Sequence, residues 1–345
     1  MNIEPRITRL RALAAAVVVT AQLLTAASVS ARSPASAPVT APGLTKVDVA
    51  SGTLVGTYYA PADGKRHPAI VVLGGSEGGL HAADAQRFAQ HGYAALALAY
   101  FGIDPLPKEL SAIPVETVTR GIDWLAARPE VDRAHIGIEG GSKGAELALL
   151  AATRDSRIRA VAVVAPTAYV WFGLAFGSGA PETSSWSAGG TPVPYVPSDT
   201  TADAAVGRAF QRGGTISFRD TFDASLASAT AATRTDATIP VERIGGPVLC
   251  IAGDDDHEWN SVDACNAIHA RRHAARRDAS DAVVVEHGAG HALPFSGAPA
   301  AASYQATPIT TILLGGSPEA NGRGGADAFT RIVAFFNHAL NPTMP

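Results

Sequence analysis

Short, continuous runs of apolar residues, each followed by a segment with helical spacing, recur along most of this chain. Residues 69–73, 94–99 and 248–252 are such runs. A strand that is apolar on both faces belongs in a parallel sheet covered by helices. Residues 82–90 and 327–340 show the helical period in between and at the end. The alternation predicts an α/β fold with a mostly parallel central sheet and helices on both faces.

The composition supports a folded protein and excludes one class of partner. Of the 345 residues 47% are apolar and 17% are charged, which is typical of a chain that can bury a sizeable core. Lys and Arg number 27 against 31 Asp and Glu, which leaves a net charge of −4. Without an excess of basic residues to contact phosphates, we expect no nucleic-acid partner.

The first residues have the pattern of an export signal. Arg6, Arg9 and Arg11 precede an apolar stretch, 12–27, and small residues follow at 29–31. The pattern predicts a secretory signal peptide over residues 1–31 and a periplasmic or secreted protein with no stable membrane insertion after cleavage. The alternative is an uncleaved N-terminal membrane anchor, but the apolar stretch is short of the ~20 residues that span a bilayer.

A linker and one large domain are predicted after the signal. Residues 32–45 are rich in Pro, Ala and Ser, which is typical of a linker, and the domain would cover residues 46–345. Within it, residues 166–245 are too long for a structureless loop. They are predicted to form a lid-like insertion over one end of the sheet, whose aromatic side chains either pack against the domain or wall a substrate pocket; the residues expected at the pocket are Trp171, Phe172 and Trp186.

The chain has two cysteines, Cys250 and Cys265. An oxidising compartment would allow them to form a disulfide. Two buried thiols are the simpler interpretation, because Cys250 ends an apolar strand and Cys265 falls in the helix that follows.

The pattern Gly-x-Ser-x-Gly occurs twice, at residues 74–78 and 140–144. A nucleophilic serine on a strand-to-helix turn needs a strand before it and a helix directly after it. Ser142 has both, whereas Ser76 is followed by Gly78 and Gly79, which delay a helix. The sequence therefore favours Ser142 as a nucleophile.

A serine nucleophile needs a base and a carboxylate, and the α/β-hydrolase arrangement supplies them in the order Ser, acid, His after later strands. Three aspartates, Asp254 to Asp256, follow one apolar run. Asp256 is predicted to be the acid, because a turn after Gly253 would bring it towards the carboxyl edge of the sheet. His291 is predicted to be the base in preference to His287, because glycines at 288 and 290 make a loop that can reach the serine.

Further predictions concern the oxyanion hole and metals. The hole would take the backbone N–H of Lys143 and one from the loop after the early strand, with Gly75 and Ser76 as candidates. A metal cluster is the competing interpretation of the acids and histidines, but they lack the spacing of calcium loops and zinc hydrolases. We therefore expect no metal and no cofactor; the residues concerned are Asp254, Asp255, Asp256, His257, Glu258, His287 and His291.

Several segments together resemble one known family. Residues 141–147 (GSKGAEL), 253–261 (GDDDHEWNS) and 290–291 (GH) are similar to the C-terminal catalytic domain of the acyl-CoA thioesterase and bile acid-CoA:amino acid N-acyltransferase family. Connecting segments, such as 98–101 and 315–319, also resemble that family. The resemblance covers about residues 46–342.

The resemblance implies an α/β-hydrolase fold with a serine nucleophile at Ser142, an aspartate at Asp256 and a histidine at His291. It implies a small-molecule acyl ester or thioester as substrate. The N-acyltransferase branch uses cysteine, so a serine favours hydrolysis; an acyltransferase or a non-catalytic binding protein on the same fold are the alternatives. Members that act on acyl-CoA usually carry a β-sandwich domain before the hydrolase, where this sequence has the predicted signal and linker. An ester or another thioester is therefore also expected as a substrate.

Overall fold

A mostly parallel sheet forms the centre of the protein, whose computed structural model describes residues 43–175 and 182–340. In the described chain this sheet has eight strands in the order β1-β2-β4-β3-β6-β7-β11-β12. Strands β1 and β2 are antiparallel to each other, β2 is antiparallel to β4, and the remaining neighbours are parallel. The strands are β1 (Leu44–Ser51), β2 (Leu54–Pro61), β3 (His67–Leu73), β4 (Ala94–Ala99), β6 (Val131–Gly141), β7 (Ile158–Val164), β11 (Val248–Gly253) and β12 (Ala282–Glu286).

Helices cover both faces of this sheet because the inner strands are apolar on both sides. One face packs against helices α1 (Ala82–Gln90) and α8 (Pro318–Leu340), which contribute Phe88 and Phe336 to the core. The other face packs against α2 (Glu116–Ala126), α3 (Lys143–Ala152) and α7 (Ser261–Ala274). The predicted α/β architecture is thus confirmed.

The segment between β7 and β11 contains secondary structure of its own. Two short strands, β8 (Trp186–Ala188) and β9 (Thr191–Pro192), pair with each other, and β8 also pairs with β5 (Ile113–Pro114). The segment continues with helices α4 (Thr200–Arg212), α5 (Phe218–Ser228) and α6 (Ala231–Ala237). Strand β10 (Gly214–Ile216) joins the hairpin of β13 (Ser303–Thr307) and β14 (Thr310–Leu313) in a further small sheet.

The predicted domain boundary needs a small correction. Strand β1 begins at Leu44, two residues before the predicted start of the domain, because Leu44 and Thr45 pair with Pro61 and Ala60 of β2. The last two residues of the predicted linker, 32–45, are therefore part of this strand. The predicted signal peptide, residues 1–31, lies outside the described residues. No helix within the described ranges is long and apolar enough to cross a membrane.

Both cysteines are buried and carry free thiols. Cys250 lies on β11 and Cys265 lies on α7, which packs against that strand. Of the two alternatives considered from the sequence, a disulfide and two buried thiols, the structure has the buried thiols.

Candidate active site

Ser142 lies on a sharp turn between a strand and a helix. Strand β6 ends at Gly141 and helix α3 begins at Lys143, so Ser142 is the single residue between them. Its backbone has φ 54° and ψ −122°, a strained conformation for a residue with a side chain. The turn needs the two flanking glycines of the motif. A β-carbon on Gly140 would lie 2.4 Å from the Gly144 carbonyl oxygen, and one on Gly144 would lie 2.3 Å from that of Gly74.

The structure brings Ser142, His291 and Asp256 together. Nε2 of His291 lies 2.8 Å from Ser142 Oγ. Nδ1 of the same ring lies 3.0 Å from both carboxylate oxygens of Asp256. The imidazole therefore bridges the hydroxyl and the carboxylate over a sequence separation of 149 residues to the serine.

Asp256 is the buried member of the three consecutive aspartates. Its exposure is 1%, and its Oδ1 accepts the backbone N–H of Glu258 at 2.8 Å and of Trp259 at 3.3 Å. Asp254 and Asp255 are exposed and bind backbone N–H groups of Gly288 and Gly316, respectively. The first two aspartates thus hold neighbouring loops, while the third faces His291.

His287 lies away from this group. Its Nδ1 is 2.8 Å from Asp254 Oδ2, and its side chain is 86% exposed. Only His291 of the two candidate histidines contacts Ser142.

Trp259 is a member of the site that the sequence analysis did not single out. Its ring meets the His291 ring edge-to-face, with the centroids 5.1 Å apart. Its indole N–H donates to the carbonyl oxygen of Ala165 at 3.1 Å. Trp259 therefore limits the rotation of the imidazole. A tryptophan three residues after Asp256 was visible in the sequence, but nothing local indicated its contact with His291.

A cavity of about 760 Å³ opens at Ser142 and His291. Its apolar wall comes from the chain that follows His291 and from the β13–β14 hairpin, through residues such as Leu293, Phe295 and Leu314. Charged groups also line it, and they are Glu77, His81, Asp84, Arg87, Glu139 and Glu258.

The predicted aromatic wall of the pocket was wrong. Trp171, Phe172 and Trp186 do not line this cavity. Trp171 is 3% exposed and packs with Phe172 and Phe222, while Trp186 is fully buried in the main core. No described residue of the 166–245 segment lines the cavity. Aromatic side chains are as suitable for packing in a core as for lining a pocket. Here they pack the insertion against the domain.

A buried ion pair anchors the insertion to the turn that carries Ser142. Lys143 Nζ donates to Glu146 Oε2 and to Ser185 Oγ, both at 2.9 Å. Glu146 Oε1 in turn accepts the backbone N–H of Trp171 at 2.9 Å and the indole N–H of Trp186 at 2.7 Å. Burial lowers the pKa of Lys143 and raises that of Glu146, and the hydrogen bond between them opposes both shifts. The insertion therefore packs behind the turn that carries Ser142.

The loop after β3 is also fixed in place. The buried Tyr100 hydroxyl lies 2.6 Å from the carbonyl oxygen of Gly74 and 3.0 Å from that of Gly75. Ser76, the other residue of this loop predicted to contribute to an oxyanion hole, lines the cavity. The Gly75 N–H, however, donates to Glu77 Oε1 at 2.8 Å. The predicted oxyanion donor at Gly75 is therefore occupied by a side chain that the sequence analysis did not consider.

Lys143 supplies the first N–H of helix α3. The opening amides of a helix have no carbonyl partner one turn earlier, and the helix dipole favours negative charge there. Its backbone N–H is thus suited to an oxyanion beside Ser142. No three described His, Cys, Asp or Glu side chains are grouped so that they could hold a metal ion.

The sequence matches a family model over residues 113–342, two thirds of the chain. The model describes the C-terminal domain of the BAAT / acyl-CoA thioester hydrolase family. The chain belongs to this family. Family membership and fold together support hydrolase activity.

Curated relatives are similar over most of this chain. Mouse acyl-coenzyme A thioesterase 6 is 30% identical over 308 residues, which is 88% of this chain and 68% of that protein. Mouse peroxisomal succinyl-coenzyme A thioesterase is 27% identical over 311 residues, 88% of this chain and 67% of that protein. The chain thus spans about two thirds of the length of these relatives.

A solved structure supports the fold alone. A crystal structure described as a dienelactone hydrolase from Klebsiella pneumoniae aligns with a TM-score of 0.51 and 16% sequence identity, and the alignment covers 85% of this chain and 97% of that one. The central sheet and its helices therefore form an α/β-hydrolase fold.

Proposed function

We propose that this protein is a serine hydrolase that cleaves acyl thioesters or carboxylic esters through an acyl-enzyme. The observation that carries the proposal is the contact chain from Ser142 Oγ to His291 Nε2, 2.8 Å, and from His291 Nδ1 to Asp256, 3.0 Å. A serine hydroxyl is a weak nucleophile until a base removes its proton. The imidazole lies within hydrogen-bonding distance to do so, and the carboxylate holds the ring in the required tautomer.

The proposed reaction has two halves. Ser142 Oγ attacks the acyl carbonyl carbon while its proton passes to His291 Nε2, and the carbonyl oxygen becomes an oxyanion near the Lys143 N–H. The intermediate then collapses, and the thiol or alcohol leaves with the proton from His291. Water attacks the acyl-enzyme by the same route, which releases the carboxylic acid and restores Ser142.

Product analysis tests the proposal directly. The purified protein would be incubated with p-nitrophenyl esters and acyl-CoA thioesters, with and without amine acceptors, and the products identified by mass spectrometry. We expect the free carboxylic acid in every case. Acylated amine as the main product would indicate an acyltransferase instead, and no turnover of any substrate would indicate a binding protein.

The pH dependence should report the state of His291. Burial lowers the pKa of this imidazole, but the charge and hydrogen bond of Asp256, with the charges of Glu258 and Glu77, outweigh that effect and raise the pKa to about 9. Only the neutral ring can accept the serine proton. We therefore expect kcat/KM to rise with pH to a midpoint well above 6.5, the usual value for histidine. A midpoint below 6.5 in a kcat/KM profile would contradict this expectation.

The cavity should favour longer acyl chains. Burying a methylene contributes about 0.8 kcal/mol, which corresponds to about fourfold in kcat/KM per added carbon until the cavity is filled. We expect Ala300→Phe, which places a ring in the cavity wall, to move the optimum to shorter chains. The control is Ala298→Phe, the same change at an exposed alanine two residues earlier and outside the lining. Fastest turnover of acetyl esters by the wild type would contradict this prediction.

Export is a further part of the proposal. The arginines and the apolar stretch of residues 1–31 support a signal peptide that is removed during secretion. N-terminal sequencing of the protein recovered from its producing cells tests this. A mature N-terminus near residue 32 is expected, and an intact residue 1 in a membrane fraction would indicate an anchor.

A further inference from the structure

Glu77 connects the loop after β3 to a histidine and a second carboxylate. Glu77 Oε1 accepts the Gly75 N–H at 2.8 Å and lies 2.6 Å from His81 Nε2. The other ring nitrogen, Nδ1, lies 3.3 Å from Asp84 Oδ2. All three side chains line the cavity that opens at Ser142. His81 is therefore held between two carboxylates.

The charges of this group follow from the contacts. Hydrogen bonds to Asp84 and Glu77 raise the pKa of His81 to about 10, against the opposing effect of burial. Desolvation raises the pKa of Glu77, but the hydrogen bond and charge of His81, together with the backbone N–H groups that the carboxylate accepts, outweigh this and lower the pKa. At neutral pH the group is thus an imidazolium between two carboxylates, and it carries one net negative charge.

The Glu77 carboxylate lies next to the nucleophile. A β-carbon built on Gly75 would be 2.8 Å from Glu77 Oε2 and 3.2 Å from Ser142 Cβ, so both side chains border the same small space. Glu77 Oε1 accepts the Gly75 N–H, which was predicted from the sequence to be a donor of the oxyanion hole. A negatively charged oxygen therefore already accepts the Gly75 N–H to which a substrate carbonyl oxygen would bind.

We propose that Glu77 is a specificity-determining residue that selects against acyl groups carrying a carboxylate. The carbonyl oxygen of a substrate must displace Glu77 from the Gly75 N–H. The displaced carboxylate stays beside the acyl group, because His81 continues to hold it. A neutral acyl chain has no charge for the Glu77 carboxylate to repel, whereas a carboxylate on the acyl group is repelled by it. This inference rests on the proposed function, because it requires an acyl carbonyl at Ser142.

Two other charged groups of the cavity bear on the same selection. Glu258 lies close enough to His291 and Asp256 for their charges to affect its pKa, and its ionised form adds to the negative potential. Arg87 is the opposing charge. Its guanidinium lies 4.5 Å from the centre of the Phe329 ring and makes no ion pair with a described residue. The positive charges of His81 and His291 each lie against carboxylates, so Arg87 is the described cation of the cavity lining whose charge no carboxylate offsets, and it provides the matched control.

The test compares two thioesters of one thiol, N-acetylcysteamine. Butyryl and succinyl groups have the same length and differ in a terminal methyl or carboxylate. A unit charge about 6 Å from another, at a dielectric constant between those of a protein surface and water, changes kcat/KM by about tenfold. We expect wild-type protein to prefer butyryl by at least about that factor. Glu77→Gln should reduce the preference about tenfold, and Arg87→Gln should increase it.

The outcomes separate this inference from the proposed function. Equal turnover of the two thioesters by the wild type would overturn the inference without any variant. A butyryl preference that Glu77→Gln leaves unchanged, in protein that still hydrolyses butyryl thioester, would overturn it as well. No hydrolysis of either thioester would instead overturn the proposed function, and this inference with it. A succinyl thioester, the substrate type in the name of the mouse peroxisomal relative, is thus expected to be a poor substrate here.

Discussion

Ser142→Ala should lower kcat by about 10⁶-fold, because the members of such a triad act as a unit and the acyl-enzyme cannot form without Oγ. The fold should persist. Alanine is smaller than serine and fits the same strained turn, and the backbone N–H at position 142 still donates to the Val164 carbonyl oxygen. Initial rates with a p-nitrophenyl ester measure the loss, and circular dichroism and the thermal midpoint establish that the variant is folded.

Ser76→Ala is the matched control, since Ser76 is the serine of the first Gly-x-Ser-x-Gly pattern and lines the same cavity. It should change kcat far less, because the imidazole of His291 contacts Ser142. A fluorophosphonate probe should label wild-type protein at Ser142 and should not label Ser142→Ala. Labelling of Ser76, or of the Ser142→Ala protein, would contradict the assignment.

The strand-to-helix turn that carries Ser142, the proposed nucleophile, could be predicted because its requirements are local. A strand, a serine between glycines and a helix must follow one another within a few residues, and the sequence distinguishes Ser142 from Ser76 on that basis alone. The structure adds the reason for the glycines. Gly144 lies against the Gly74 carbonyl oxygen, so any side chain there would push apart the two loops that border the cavity.

The proximity of Asp256 and His291 to Ser142 could also be predicted, although they are distant in sequence. The carboxyl ends of parallel strands meet at one edge of a sheet, and both residues follow such strands. The turn after Gly253 was expected to bring Asp256, and not Asp254 or Asp255, towards the carboxyl edge of the sheet, and Asp256 is the buried one of the three. Asp256 is 1% exposed, whereas Asp254 and Asp255 bind backbone N–H groups at the surface.

The cavity wall could not be predicted, because residue type does not distinguish lining from packing. Trp186 contributes its indole N–H to buried Glu146, and the apolar wall comes instead from residues such as Leu293 and Phe295. Glu77 and His81 were missed for a different reason. Their spacing of four residues is visible in the sequence, but the bond from Glu77 to the Gly75 N–H depends on the shape of a glycine-rich loop.

Asp256→Asn should lower kcat by about 10⁴-fold through the tautomer of His291. The carbonyl oxygen of the new asparagine side chain would keep the N–H groups of Glu258 and Trp259 at the position of Oδ1, so its amide NH₂ would replace Oδ2, which lies 3.0 Å from His291 Nδ1. Nδ1 then has to accept a hydrogen bond, and the ring proton moves to Nε2. A protonated Nε2 cannot take the proton of Ser142. Steady-state kinetics measure the loss, and losing the Asp256 charge should also lower the midpoint of the pH profile.

Asp254→Asn and Asp255→Asn are the neighbouring controls, and their effects should appear in stability more than in kcat. Both residues are exposed, and an asparagine oxygen can still accept the Gly288 or Gly316 N–H. Neither side chain contacts His291, so the tautomer of that ring should not change. If Asp255→Asn lost more activity than Asp256→Asn, the carboxylate that orients the imidazole would have to be a different one. The contact geometry at His291 would then not be the geometry used during turnover.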